Sequence, residues 1–216
     1  MVDGDQPIAE NGNDEDKPPH LLVACRAQLP TALLSVLLLT LLTGAVFPLL
    51  LAALAHLLFP HQSAGSLLYR DGIVVGSELL GQNFTQPGYF HPRPSAAGYD
   101  PRASGGSNWA PGNRRLREAV RQRVEDYRHE EDLPPDTPIP LDAVTSSGSG
   151  LDPHISPANA ALQVRRVARE RHLSQEEVQK LVDEHTLGRQ LGVLGEPRVA
   201  VLPLNLDLDR VAPLTR

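Results

Sequence analysis

The sequence predicts an α+β protein in which a single N-terminal transmembrane helix is followed by one mixed soluble domain. Three observations carry this. Residues 27–69 contain no Asp, Glu, Lys or Arg, and residues 29–59 within that block are rich in leucine. Beyond it, helix-capping signals are interspersed with short β-branched runs. Of the 216 residues, about 155 remain once a polar tail and the helix are set aside, enough for one domain with its own core.

The expected organisation is therefore a tail over residues 1–28, a membrane helix over 29–59 and a soluble domain over 60–216. The head of the chain, MVDGDQPIAENGNDEDKPPH, is acidic and almost without large apolar residues. Such a segment buries too little surface to offset the entropy of ordering, and disorder is expected there. Residues 29–59 exceed the roughly 20 apolar residues that cross a hydrocarbon core about 30 Å thick. Ala53-Leu54-Ala55 resembles a signal-peptidase site, but a signal peptide's apolar region is only roughly 7–15 residues, so an uncleaved anchor is expected. Lys17 and Arg26 precede the helix while Arg70 is the first strong base after it, a weak bias towards an inside N-terminus.

Charge limits the classes of partner. The chain carries net charge -6. Without the tail acids Asp3, Asp5, Glu10, Asp14, Glu15 and Asp16 and the bases Lys17 and Arg26, 20 acids face 18 bases. That balance argues against nucleic acid, which favours a basic surface. The single cysteine, Cys25, excludes an intrachain disulfide framework and a Cys-based zinc site.

Residues 61–113 are rich in Gly, Pro, Ser and Asn and read as ordered turns, with IVV (73–75) as a short strand. Tyr89, Phe90 and Trp109 within it either pack inside or meet a partner. Asn113 caps an expected helix over 114–128, where Leu116, Val120, Val124 and Tyr127 recur on one face. The stretch EEDLPPDTPIPLDAV then breaks the helix with four prolines and reads as a connector. Ser156-Pro157 pairs an N-cap with a proline at the first helical position. Ser174 and Glu177 form an S-x-x-E capping box for a third helix. In the closing RVAVLPLNLDL, Val199 and Val201, with Leu204 and Leu206, suggest one or two strands interrupted at Pro203.

The loop TSSGSGLDPHISP (145–157) invites catalytic readings that fail one by one. A phosphate cradle requires G-x-x-x-x-G-K-[ST], and no lysine follows Gly148 or Gly150. Asp152 and His154 alone make no coordination shell, so no metal site is expected. A serine hydrolase would carry G-x-S-x-G, which is absent, and no catalytic residue is assigned. The remaining reading is structural: Gly148 and Gly150 permit unusual backbone angles, Asp152 bonds its own turn, and Ser156 and Pro157 launch a helix.

Taken in order, TGAVFPLL, GSELLGQNF, GYFHPRPSA, ASGGSNWAPGN, VTSSGSGLDPHISPANAALQVRRVARER and LGEPRVAVLPLNLDL closely resemble the motifs of the C subunit of the Kdp potassium-transporting ATPase. The resemblance covers about residues 34–208. It implies a non-catalytic, single-pass subunit of a bacterial inner-membrane complex, with its N-terminus cytoplasmic and its C-terminal domain extracytoplasmic. The partners implied are a channel-like subunit that selects potassium, a P-type subunit that hydrolyses ATP, and a small peptide subunit. The family is described as a catalytic chaperone that raises the ATP affinity of the hydrolysing subunit through a transient ternary complex. No stably bound cofactor is implied, only ATP within that complex. In that description a glutamine matched here by Gln163 touches the nucleotide; the plainer expectation for Gln163 is a partly exposed side chain capping its neighbours. A domain outside the membrane cannot reach cytoplasmic ATP, which leaves as the alternative an action through the membrane helix, with the outer domain capping the complex near the pore entrance. In that helix, Thr40-x-x-x-Gly44 is a small-xxx-small pair and Pro48 frees the carbonyl of Gly44, a face suited to packing on a partner helix.

Overall fold

The computed structural model describes residues 21–214, and the disorder expected over residues 1–20 lies outside them. The chain divides into two units, Met1–Ser63 and Ala64–Arg216. In the first, α1 (Leu21–Leu41), a π-turn (Leu42–Val46) and α2 (Phe47–Leu58) run without interruption, followed by the short α3 (Pro60–Ser63). The helix begins eight residues before the expected boundary at residue 29. LLVACRAQ is made largely of good helix formers and contains neither Gly nor Pro to stop the helix. Cys25–Leu58 is 34 residues long, its most apolar 18-residue stretch has a mean hydropathy of 2.4 with none of it buried, and it is long and apolar enough to cross a membrane. The π-turn lies just before Pro48. Proline lacks an N–H and its ring crowds the carbonyl four residues back, so the ladder slips to five-residue spacing, with Phe47 N donating to Leu42 O.

The second unit opens with a hairpin of β1 (Leu67–Arg70) and β2 (Ile73–Ser77), joined by Asp71-Gly72 at φ of 53° and 77°. The expected IVV strand is β2; its partner β1 carried no comparable signal. After a long irregular stretch come α4 (Arg114–Glu130), α5 (Leu141–Val144), β3 (His154–Ile155), α6 (Pro157–Arg171), α7 (Gln175–Glu184), β4 (Thr186–Leu187), β5 (Arg198–Ala200) and α8 (Val201–Val211). The three short strands form an antiparallel sheet in the order β3-β5-β4. The fold is α+β.

The three expected caps operate. Asn113 accepts from Arg115 N, Ser156 from Asn159 N, and Ser174 and Glu177 close their box reciprocally. The terminal expectation is overturned: only residues 198–200 are strand, and Leu204 and Leu206 lie in α8. Pro203 falls in the first turn of α8, where backbone N–H groups have no intrahelical acceptor to lose. Leucines at 202, 204, 206 and 208 satisfy a two-residue period on paper, but burial of Val201, Leu204, Asn205 and Leu208 follows the helical one.

Phe90, Ile155, Val164, Val167, Val178, Val182, Val199, Leu204 and Leu208 form the core around α6. A smaller cluster of Tyr127, Ala143 and Val144 seats α4 on α5. Phe90 is therefore core, Tyr89 is half-buried, and Trp109 is exposed.

Candidate functional site

Helix α6 turns an unusual face inward. Its buried positions include Asn159, Gln163, Arg166 and Arg171 beside the expected valines and alanines. The reason lies in residues 86–94, QPGYFHPRP, which form no helix or strand. Pro87, Pro92 and Pro94 have no N–H to give a ladder, yet the segment crosses buried ground, and buried backbone polar groups require partners. Side chains supply them. Arg166 donates to the carbonyls of Pro87 and Tyr89, and Arg171 Nε to Gly88 O at 2.6 Å. Asn205 of α8 accepts from Phe90 N and donates to Phe90 O, both at 2.9 Å. Gln163 does the same for His91, accepting from its N–H at 2.7 Å and donating to its carbonyl at 3.1 Å. The segment is a strap fastened by four buried side chains.

Gln163 is 1% exposed, not the partly exposed residue expected. Besides His91 it donates to Asn159 Oδ1 and accepts from Arg166, each at 2.9 Å, so both amide protons and both carbonyl lone pairs are in use. Contact with any further group requires one of these bonds to open. Gln163 nonetheless lines a cavity of about 410 Å³, together with His91, Arg93, Tyr99, Arg123 and Glu130. Burial pushes the Tyr99 hydroxyl up to about 12, so it enters this cavity as a neutral phenol.

Two arginine clusters flank Gln163. Arg166 pairs with Glu131 at 3.0 Å with both side chains almost wholly enclosed, and burial raises the Glu131 carboxyl above its ordinary value against the pull of the guanidinium. Arg171 meets Asp209 at 2.8 Å and lies 4.6 Å over the Tyr89 ring, whose hydroxyl donates to Asp209. At the cavity edge, His91 Nδ1 lies 3.0 Å from Glu130 Oε1. That hydrogen bond holds the Glu130 carboxyl below its usual range. A carboxyl lowered on folding contributes stability that is complete above its unfolded value, about 4.3, and is lost as pH falls through the folded value. Glu130→Gln is therefore expected to lower stability at neutral pH, where the contribution is complete, and to flatten the stability–pH curve below about pH 4.3 so that the variant and parent converge in acid, read from urea midpoints across pH.

The loop at 145–157 is stitched on every side. Ser149 O accepts from Gly105 N at 2.8 Å and Ser104 Oγ at 3.0 Å, and Gly150 O from Ser95 Oγ at 2.6 Å. Leu151 O accepts from Gly81 N at 2.8 Å. Asp152 bonds its own turn through His154 N at 3.0 Å and ties Arg93 at 2.9 Å. Gly150 takes φ of 68°, while Gly148 is exposed. Ser156 and Pro157 stand at the start of α6, where the carboxylate of Asp142 accepts from Ser156 N, Ser156 Oγ and Asn159 Nδ2. Asp142 lies in the stretch read as a plain connector, and its partner Ser156 is 14 residues further on, so no local signal marked the pair. Among the described residues, no three or more His, Cys, Asp or Glu side chains are grouped to hold a metal ion.

Thr40, Gly44 and Pro48 lie in the first unit at helical spacing of four, and a Cβ built on Gly44 would meet nothing within 4 Å.

Residues 29–210 match the family model described as K+-transporting ATPase, c chain. The chain belongs to the KdpC family. Relatives named potassium-transporting ATPase KdpC subunit include that of Mycobacterium tuberculosis, 53% identical over 188 residues, covering 86% of this chain and 100% of the relative. That of Sorangium cellulosum is 56% identical over 186 residues, covering 85% and 97%. That of Methylococcus capsulatus is 54% identical over 182 residues, covering 82% and 95%. The KdpC match takes in α2, the strap, the 145–157 loop and nearly all of α8.

Proposed function

We propose that this chain is the non-catalytic C subunit of an ATP-driven potassium-uptake complex in a bacterial inner membrane, held there by α1–α2 and required for assembly. The channel-like, ATP-hydrolysing and small peptide subunits are its partners. The N-terminus is cytoplasmic and the soluble domain extracytoplasmic, and any rise in ATP affinity of the hydrolysing subunit is transmitted through assembly. The observation that carries this reading is the apolar helix, uncovered along its length, with open space at Gly44 one turn from Thr40. Small residues let helix backbones approach closely, and association in lipid depends on that packing. Gly44→Leu fills the notch. Its recovery with the tagged ATP-hydrolysing subunit from detergent-solubilised membranes is expected to fall at least tenfold, about 1.4 kcal/mol. Undiminished recovery of the complex overturns the reading.

A second reading has the domain binding ATP directly through Gln163, and the cavity that Gln163 shares with Arg93 and Arg123 favours it. Gln163→Ala cannot separate the two readings, because it also unfastens the strap. Topology can. Ser149 is exposed, and Ser149→Cys in a Cys25→Ser background is expected to react with a membrane-impermeant thiol reagent in cells whose outer barrier admits it. Labelling only after the inner membrane is breached would place the loop with cytoplasmic ATP and favour the second reading.

A further inference from the structure

Between β4 and β5, Gln190 and Leu194 exchange both backbone hydrogen bonds at 2.8 and 2.9 Å, closing a small hairpin. Its turn places Leu191 and Gly192 at φ of 53° and 77°. The chain's other tight hairpin uses the same two angles at Asp71-Gly72, where the short polar aspartate tolerates the left-handed region. A leucine there is strained, because its Cβ crowds the backbone with no local hydrogen bond in return. Leu191 is also 91% exposed, and its neighbours Val193 and Leu194 are 73% and 56% exposed. Strain and wetted aliphatic surface thus coincide on a turn that an Asn or Asp would make at lower cost.

We propose that the 191–194 turn is a docking knob that inserts into an apolar cup on the extra-membrane surface of another subunit of the same complex, an inference that rests on the proposed function. Three aliphatic side chains at roughly 60–120 Å² each fall well short of the roughly 800 Å² per partner of a free-standing interface. A second copy of the chain arriving from solution would not be retained by so small a contact. A partner already held through the membrane helix is retained, because tethering makes the second contact intramolecular. A lipid surface would favour a basic rim, whereas Arg189 at the base of the knob is paired with Glu196 at 2.7 Å.

The test uses the full complex in membranes, with a photo-crosslinking residue introduced as Val193→p-benzoylphenylalanine and, separately, Leu37→p-benzoylphenylalanine on the membrane helix. The expected result is a Val193 adduct with one other subunit, reduced at least fivefold by Leu191→Asn. Asn suits the turn, so the thermal midpoint of the purified chain should hold or rise with that substitution. An adduct with a second copy of the chain or with lipid, or one unaffected by Leu191→Asn, overturns the knob. Adducts from Leu37 but none from Val193 overturn the knob and leave the proposed function standing. Adducts from neither position overturn both.

Discussion

Arg166→Ala is expected to destabilise the soluble domain by about 3–5 kcal/mol, a large share of the roughly 5–15 kcal/mol typical of a whole domain. The substitution removes the cation paired at 3.0 Å with the Glu131 carboxylate, which is 1% exposed and whose Oε2 has no hydrogen-bond partner among the described residues even in the intact chain. It also strips donors from the strap carbonyls of Pro87 and Tyr89 and from Gln163. An uncompensated buried charge costs more than the pair was worth, so the double change Arg166→Met with Glu131→Leu should recover much of the loss. What it will not recover is the strap, at about 1 kcal/mol for each missing hydrogen bond. The pH dependence has a definite sign. The Glu131 carboxyl is already raised by burial, and loss of Arg166 raises it further. The defect should therefore be smallest in acid, where Glu131 is protonated, and grow as pH rises through its folded value. Urea unfolding of the full chain in detergent at several pH values reads all three effects. A loss under about 1 kcal/mol for Arg166→Ala would mean the pair and the strap bonds contribute little.

The strap explains which parts of this molecule could be read from the chain alone. Caps act within three residues, so Asn113, Ser156 and Ser174 announce their helices locally, and the α+β class and the long apolar helix follow from composition and period. The inward polar face of α6 gives no such sign. In ANAALQVRRVARER, Gln163, Arg166 and Arg171 look like solvated positions, because these partners are backbone atoms or acids from 35 to 83 residues away in sequence, depending on the bond. The recoverable clue was the strap: a Gly- and Pro-rich run around a phenylalanine has to borrow hydrogen bonds if that phenylalanine is core. The α8 misreading arose differently. Alternating leucines fit strand and helix alike, and Pro203 was weighed as a strand breaker when its position in the first helical turn made it harmless.

The two glycines of SGSG are expected to respond in opposite ways, and the difference reports what the loop is for. Gly150 sits at φ of 68°, and a Cβ there would lie 2.8 Å from both Ala97 Cβ and Gly105 O, contacts that no side-chain rotation relieves. Gly150→Ala combines left-handed strain with overpacking against backbone, about 2–4 kcal/mol in all. It acts where Ser95 and Gly105 attach the loop, so protection from proteolysis should fall across residues 93–106 as well as at the substitution. Gly148 has an ordinary negative φ or extended backbone, and a Cβ there would meet nothing within 4 Å. Gly148→Ala should be neutral or stabilising by up to about 1 kcal/mol, through the smaller conformational freedom of the unfolded chain. Thermal unfolding of the two variants side by side decides between them. Equal losses would mean that both glycines keep the backbone clear for a ligand, as a phosphate cradle requires. A loss confined to Gly150 means the loop is a fixed joint, with one glycine forced by φ and close packing and the other free to vary.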